Sequence, residues 1–118
     1  MADTTLSASI TPSATSSKVL VLLSQAGCFK EVGNTGSGMN VRLLRGSTTL
    51  IDPIVSGGYT GTSIRNDFGN VSCAYLDSPS STSAVTYKTQ FANIVNASGV
   101  TVQANSAVST LVLIEIGA

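Results

Sequence analysis

The chain is 118 residues long, and its six Lys and Arg balance six Asp and Glu, so the formal net charge is zero. Only 10% of residues are charged and 42% are hydrophobic, while 18 serines and 14 threonines supply most of the polar groups. A chain with so few basic residues lacks the positive surface that phosphate-driven nucleic-acid binding needs. The absence of histidine excludes histidine-based catalysis and histidine-ligated metal within one chain.

Short segments rich in β-branched residues, separated by Gly, Pro, Ser and Asn, predict an all-β chain. Turn signals recur at roughly the 8–12-residue spacing that is typical of sandwiches and barrels. We therefore expect one domain over residues 1–118, a jelly-roll-like antiparallel β-sandwich of about eight short strands. The predicted strands, among which 28–32 is the least regular, are residues 6–10, 18–23, 28–32, 40–45, 48–51, 71–76, 84–92, 100–104 and 108–116.

Glycine, proline and aspartate mark the predicted connections between these strands. Residues 33–38 (GNTGSG) resemble a phosphate-binding loop in composition only, because no Lys-Ser/Thr pair opening a helix follows them. Asp52-Pro53 is expected to break a strand, and residues 55–67 are expected to form a surface loop. No cofactor is predicted.

Two predicted strands are apolar on both faces, and this pattern predicts an interface between subunits. Residues 19–23 are a continuous aliphatic run, and residues 111–116 carry Leu111, Leu113 and Glu115 on one face and three aliphatic residues on the other. In an isolated sandwich one of these faces would meet water, and large exposed apolar patches mark interaction sites. The simplest cover is another copy of the same chain. The candidate interface residues are Leu20, Leu22, Arg42, Arg45, Leu111, Leu113 and Glu115.

An acidic side chain in an otherwise apolar strand must be paired or solvated. One hypothesis is that Glu115 meets Arg42 or Arg45, within a subunit or across an interface. The alternative is that Glu115 reaches solvent at the end of its strand.

The best candidate for an exposed contact residue is Tyr59, which lies in the Gly-rich segment 57–61. A loop tyrosine flanked by glycine adapts well to carbohydrate or protein surfaces.

Other side chains that could carry chemistry have simpler structural interpretations. Asp52, Asp67 and Asp77 lie beside turn residues, where a carboxylate ordinarily bonds nearby backbone N–H groups, although a hydrolase pair among them is a remote alternative. Cys28 and Cys73 lack metal-ligand spacing and are interpreted as small buried hydrophobic residues, with one disulfide as the alternative. No catalytic or metal-binding residue is predicted.

The N-terminal segment has neither a basic region nor an apolar run, so no signal peptide is predicted and synthesis in a cytoplasm is expected. The longest apolar runs are far shorter than the roughly 20 residues of a membrane helix. We expect neither a membrane nor a nucleic acid as a partner.

Six segments occur in an order that resembles the β-rich modules of bacteriophage virion appendages, especially tail-fibre ends. The resemblance covers nearly the whole chain and rests on LSASITPS (6–13), SKVLV (17–21), RLLRGST (42–48), YLDSP (75–79), TYKTQF (86–91) and STLVLIEI (109–116).

The resemblance implies a non-enzymatic virion surface protein, a β-sandwich that assembles as a homotrimer. Fibre modules of this kind usually end a longer chain, whereas Met1 here lies next to the first predicted strand. We therefore expect a small capsid decoration (cement) protein, with the major capsid protein as a further partner. The alternative is a tail-fibre or spike tip module that binds a host receptor or surface glycan.

Overall fold

Eight β-strands make up most of the part of the chain that the structure describes. A computed structural model describes residues 1–31, 37–61, 63, 65–94 and 99–117. The strands are β1 (Ala2–Ile10), β2 (Lys18–Glu31), β3 (Met39–Arg45), β4 (Thr48–Gly57), β5 (Asn66–Asp77), β6 (Val85–Asn93), β7 (Gly99–Thr101) and β8 (Thr110–Ile116).

The strands form two antiparallel sheets that pack face to face. Sheet A has the order β1-β6-β3-β4. In sheet B the long strand β2 pairs with β5 on one side and with β8 and then β7, end to end, on the other. The prediction of an all-β antiparallel sandwich of about eight strands is confirmed.

The core between the sheets follows from side-chain alternation along the strands. Val19 and Val21 of sheet B pack against Leu43 and Tyr87 of sheet A, and all four side chains are fully buried. A second cluster continues the core toward the other end of the sandwich and consists of Cys28, Met39, Val41 and Val71.

A chain of buried polar side chains also crosses the core. Thr89 Oγ1 donates to Gln25 Oε1 (2.9 Å), so the short contact of 2.5 Å between Thr4 and Thr89 has the Thr4 hydroxyl as its donor. Gln25 Nε2 donates in turn to Ser109 Oγ (3.1 Å), which also accepts from the Ala26 N–H. Because each polar group in this series of hydrogen bonds has a partner, the series joins both sheets without unpaired polar atoms of its own.

Strand β2 is continuous where the sequence predicted two separate strands. Its inward side chains are odd-numbered up to Gln25 and even-numbered from Cys28, because the register shifts between these two residues. Gly27 lies in this bulge with a φ of 63°. A bulge of this kind bends a strand and changes its facing without ending it, so one strand serves both core clusters.

Several other predicted boundaries are wrong. Strand β1 begins at Ala2 instead of residue 6, and β5 begins at Asn66 instead of residue 71. The expected loop 55–67 is therefore shorter at both ends. Strand β4 continues through Asp52-Pro53 to Gly57, because β4 is an edge strand and a proline there leaves no ladder bond unmade. Strand β7 ends at Thr101, because Gln103 adopts a left-handed conformation and a short 3₁₀ turn, Ala104–Ser106, follows. Of the predicted Gly-rich loop, residues 33–36 lie outside the described residues.

We predict that Gly27→Ala destabilises the protein more than Gly46→Ala does. Both glycines have positive φ, so either alanine costs about 1–2 kcal/mol of backbone strain. A Cβ at Gly27 would also clash with the backbone nitrogen of Ala104, whereas nothing lies within 4 Å of one at Gly46. Overpacking should cost the Gly27 variant about 1–3 kcal/mol more. Urea unfolding of both variants measures the difference, and equal losses would contradict the close approach.

Candidate interaction surface

The two outer faces of the sandwich differ sharply in polarity. The outer face of sheet A carries ion pairs between Arg42 and Asp52 (2.8 Å) and between Lys88 and Asp3 (3.2 Å). Gln90 also donates to Asp3 at 2.8 Å. This face is therefore an ordinary solvated surface.

The outer face of sheet B is aliphatic. Strands β2, β5 and β8 each direct every second side chain away from the core, and the larger of these side chains except Leu20 are between 37% and 51% exposed. We call this surface the apolar face; it consists of Leu20, Leu22, Ala74, Leu76, Val112, Ile114 and Ile116.

Strand pairing arranges the apolar face in rows across the three strands. Leu76, Leu20 and Ile114 are register partners and form one row. Ala74, Leu22 and Val112 form the next row. Neighbouring side chains in such rows lie within contact distance of one another, so the patch is continuous.

Polar side chains bound the apolar face at both ends. At one end Lys18, the register partner of Ile116, donates from Nζ to Ser78 Oγ at 3.0 Å. At the other end Ser24 donates to Asn70 Oδ1 at 3.1 Å, and Asn70 Nδ2 contacts Ser72 Oγ. The patch therefore has defined limits along the strands.

The structure places the predicted interface residues on different sides of sheet B. Leu20 and Leu22 belong to the apolar face, but Leu111 and Leu113 face inward and pack against the core. The outward residues of β8 are instead Val112, Ile114 and Ile116. Because β8 is aliphatic on both sides, hydrophobicity alone did not distinguish its faces; the register with β2 does.

Arg42 and Arg45 each pair with an aspartate of their own chain. Arg42 holds Asp52 on the outer face of sheet A, and its hydrogen bond lowers the pKa of that carboxyl. Arg45 Nη1 lies 2.6 Å from Asp77 Oδ2, which also accepts from Tyr87 Oη at 2.7 Å. Burial, followed by this bond to Asp77, raises the pKa of Tyr87.

Glu115 therefore forms neither ion pair within the chain. Its Oε2 accepts from the Ser13 hydroxyl (2.6 Å), the Ser17 hydroxyl (2.7 Å) and the Ser13 backbone N–H (2.9 Å). These bonds, the Ser13 hydroxyl first, hold the pKa of Glu115 below its ordinary value. The hypothesis of simple solvation is also incomplete, because the carboxylate ties the β1–β2 connection to β8.

Each aspartate singled out in the sequence pairs with a different arginine. Asp52 pairs with Arg42 and Asp77 with Arg45, while Asp67 lies 3.2 Å from Arg65. The turn interpretation of these residues is thus replaced by ion pairing within or beside strands.

Tyr59 is exposed, as expected of a contact residue, with 56% of its surface accessible. Its ring lies 5.7 Å from Lys30 Nζ, a distance that suits a cation–π contact. Lys30 itself is fully buried, whereas the ring that faces its ammonium group is exposed.

Cys28 and Cys73 are free thiols, and they do not form the disulfide that was the alternative interpretation. Cys28 is buried in the second core cluster and Cys73 is half-buried. Desolvation raises the pKa of Cys28 to about 11 and also raises that of Cys73.

Within the described ranges there is no cluster of acidic, Cys or His residues suited to a metal ion. The described residues also form no pocket. No helix in this part of the chain is long and apolar enough to span a membrane. The apolar face is therefore the most distinctive surface of the described structure.

No family model matches the chain, and neither a curated protein nor a solved structure matches it significantly.

We predict that Glu115→Gln removes one component of the pH dependence of stability. The folded-state pKa of Glu115 lies below its ordinary value of 4.5, so its contribution is complete above that value and is lost as pH falls through the folded-state pKa. The difference in unfolding free energy between the wild type and the variant should therefore shrink below about pH 4.5.

Urea unfolding at a series of pH values measures this difference. The acids Asp3 and Asp52 are present in both proteins, so their titration cancels. The double variant Ser13→Ala/Ser17→Ala removes the two hydroxyl donors and should lose most of the same pH dependence. A constant difference between the wild type and Glu115→Gln at all pH values would refute the role of these bonds.

Proposed function

We propose that this protein is a structural protein of the bacteriophage virion surface, a capsid decoration protein that acts by assembling with copies of itself and with the particle. The observation that carries the proposal is the apolar face, a continuous aliphatic patch on three strands of one sheet. The resemblance of six ordered sequence segments to phage appendage modules supplies the virion setting and implies three copies per assembly.

Water contact makes the apolar face unfavourable on an isolated subunit. Burying aliphatic surface stabilises an assembly in proportion to the area removed from water. Sheet A already has a solvated outer face with two ion pairs. A subunit with one wet face and one aliphatic face suits burial of sheet B against another copy, with sheet A directed outward.

The composition of the apolar face suits a contact that is insensitive to salt concentration. Its seven residues carry no charge, and Lys18 is the one charged side chain in the rows that border it among the described residues. Salt screens interactions between charges but does not weaken aliphatic contact in the same way. The association should therefore depend little on ionic strength.

A second candidate function is a receptor- or glycan-binding tip of a tail fibre or spike. The exposed ring of Tyr59 beside Lys30 favours it, since aromatic rings at loop positions bind sugars and proteins. Glycan binding by the purified protein that disappears in Tyr59→Ala would support this function over decoration.

We predict that the purified protein is an oligomer and that Ile114→Lys dissociates it toward the 12.0 kDa monomer. A lysine in the apolar face would be buried without a partner, which is strongly unfavourable. Thr49→Lys is the matched control, because it adds the same charge at an exposed position of sheet A. Light scattering coupled to size exclusion gives both masses at low and high salt.

The wild type and Thr49→Lys should share one mass that does not change with salt, and circular dichroism should show that all three proteins are folded. A wild-type protein that remains monomeric at high concentration would contradict self-assembly and the proposed function built on it.

We also predict many copies per particle. A decoration protein should occur in numbers comparable to those of the capsid subunits, because it binds a repeating lattice. Quantitative mass spectrometry of purified particles measures the ratio to the major capsid protein. A ratio of only a few copies per particle would favour the tail-tip function.

A further inference from the structure

We infer that two copies of the chain pair through their apolar faces with the strands of the two sheets antiparallel, related by a twofold axis level with Val21. The inference rests on the self-assembly in the proposed function and adds the arrangement of the copies. Three features of the apolar face support it: the sizes of its side chains, the polarity of its ends and its lack of acidic groups.

The two rows of the apolar face are complementary in size when one copy is reversed. One row contains Leu76, Leu20 and Ile114, and the other contains Ala74, Leu22 and Val112. The twofold axis lies between the two sheets, parallel to their planes and perpendicular to the strands. It places each strand over the same strand of the other copy, running in the opposite direction. Leu76 then lies over the partner copy's Ala74, and Ile114 over its Val112, so on both flanks a larger side chain meets a smaller one. In the centre Leu20 lies over the partner copy's Leu22, a pair of equal size.

The ends of the apolar face are complementary in polarity in the same arrangement. On β2 the axis places Lys18 of one copy over Ser24 of the other. Ser24, Asn70 and Ser72 form the hydroxyl and amide cluster at that end. Their oxygen atoms can accept hydrogen bonds from the ammonium group of Lys18, which in the single chain contacts only a serine hydroxyl among the described residues.

Arrangements with parallel strands lack both kinds of complementarity. In a threefold assembly whose strands run along the axis, the row with Leu76 would meet the same row of its neighbours. Three Lys18 side chains would also converge at one end, where the rows provide no acidic group. Like charges brought together are unfavourable, so the face favours the twofold pair over the trimer that the resemblance implies.

A second copy fits the apolar face better than an unrelated partner for the same reason. The face supplies both the cation and the acceptors that a reversed copy of itself requires, which is the property of an isologous interface. Two sheets stacked in this way pack about 10 Å apart with their strands nearly aligned, as in an ordinary β-sandwich.

Cysteine cross-linking tests the arrangement. Lys18→Cys and Ser24→Cys are prepared separately, mixed in equal amounts and treated with a bismaleimide that spans about 10 Å, the distance between stacked sheets. In the mixture we expect a cross-linked dimer that consists of one Lys18→Cys copy and one Ser24→Cys copy. Each variant alone should remain at the background given by the wild type, whose own cysteines Cys28 and Cys73 are the control.

The other outcomes each overturn the inference. Cross-linking of Lys18→Cys with itself would show parallel strands, as in the threefold assembly. An oligomer by light scattering that gives no cross-link in any mixture would show that the apolar faces do not meet in this register, while self-assembly stands. A monomer by light scattering would overturn this arrangement and the proposed function together. Addition of Ile114→Lys to both variants should abolish the expected cross-link, and its persistence would contradict the inference.

Discussion

Side chains alternate across a β-strand, and the rest of this structure depends on that constraint. Strand β2 is aliphatic at every position from Val19 to Leu23, so three residues of the run face the core and the two between them, Leu20 and Leu22, face outward. Because β2 is the central strand of sheet B, its outward residues are joined on both sides by those of β5 and β8. The aliphatic surface is therefore a consequence of the strand that builds the core.

Hydrogen bonds between hydroxyl and amide side chains fix how the two sheets pack against each other in the interior. The chain from Thr4 to Ser109 passes through Thr89 and Gln25, and every step has a defined donor and acceptor. An aliphatic core of the same volume would pack with less directional preference. Only 10% of residues are charged, and a half-buried ion pair of the described structure joins Arg45 to Asp77, which also accepts from the Tyr87 hydroxyl.

The sequence was sufficient to predict the fold class and most strands, because alternation and turn residues are local signals. It also predicted exposed aliphatic surface, from the two-sided runs around Leu20 and Leu113, but not that both strands lie in one sheet. It did not predict which side of β8 faces outward, since that depends on register with β2, a property of two distant segments. The bonds from Ser13 and Ser17 to Glu115 join residues about 100 positions apart and leave no local pattern. Serine is also too common in this chain for its position to be informative.

The two thiols have a consequence for the chemical environments in which the fold can persist. Thiolate, not thiol, is the species that reacts with oxidants and disulfides. With a pKa of about 11, Cys28 is almost entirely protonated at neutral pH, and its sulfur is enclosed by the core. The native structure thus neither needs an oxidising compartment to form nor offers Cys28 as a reactive group once it leaves a reducing one.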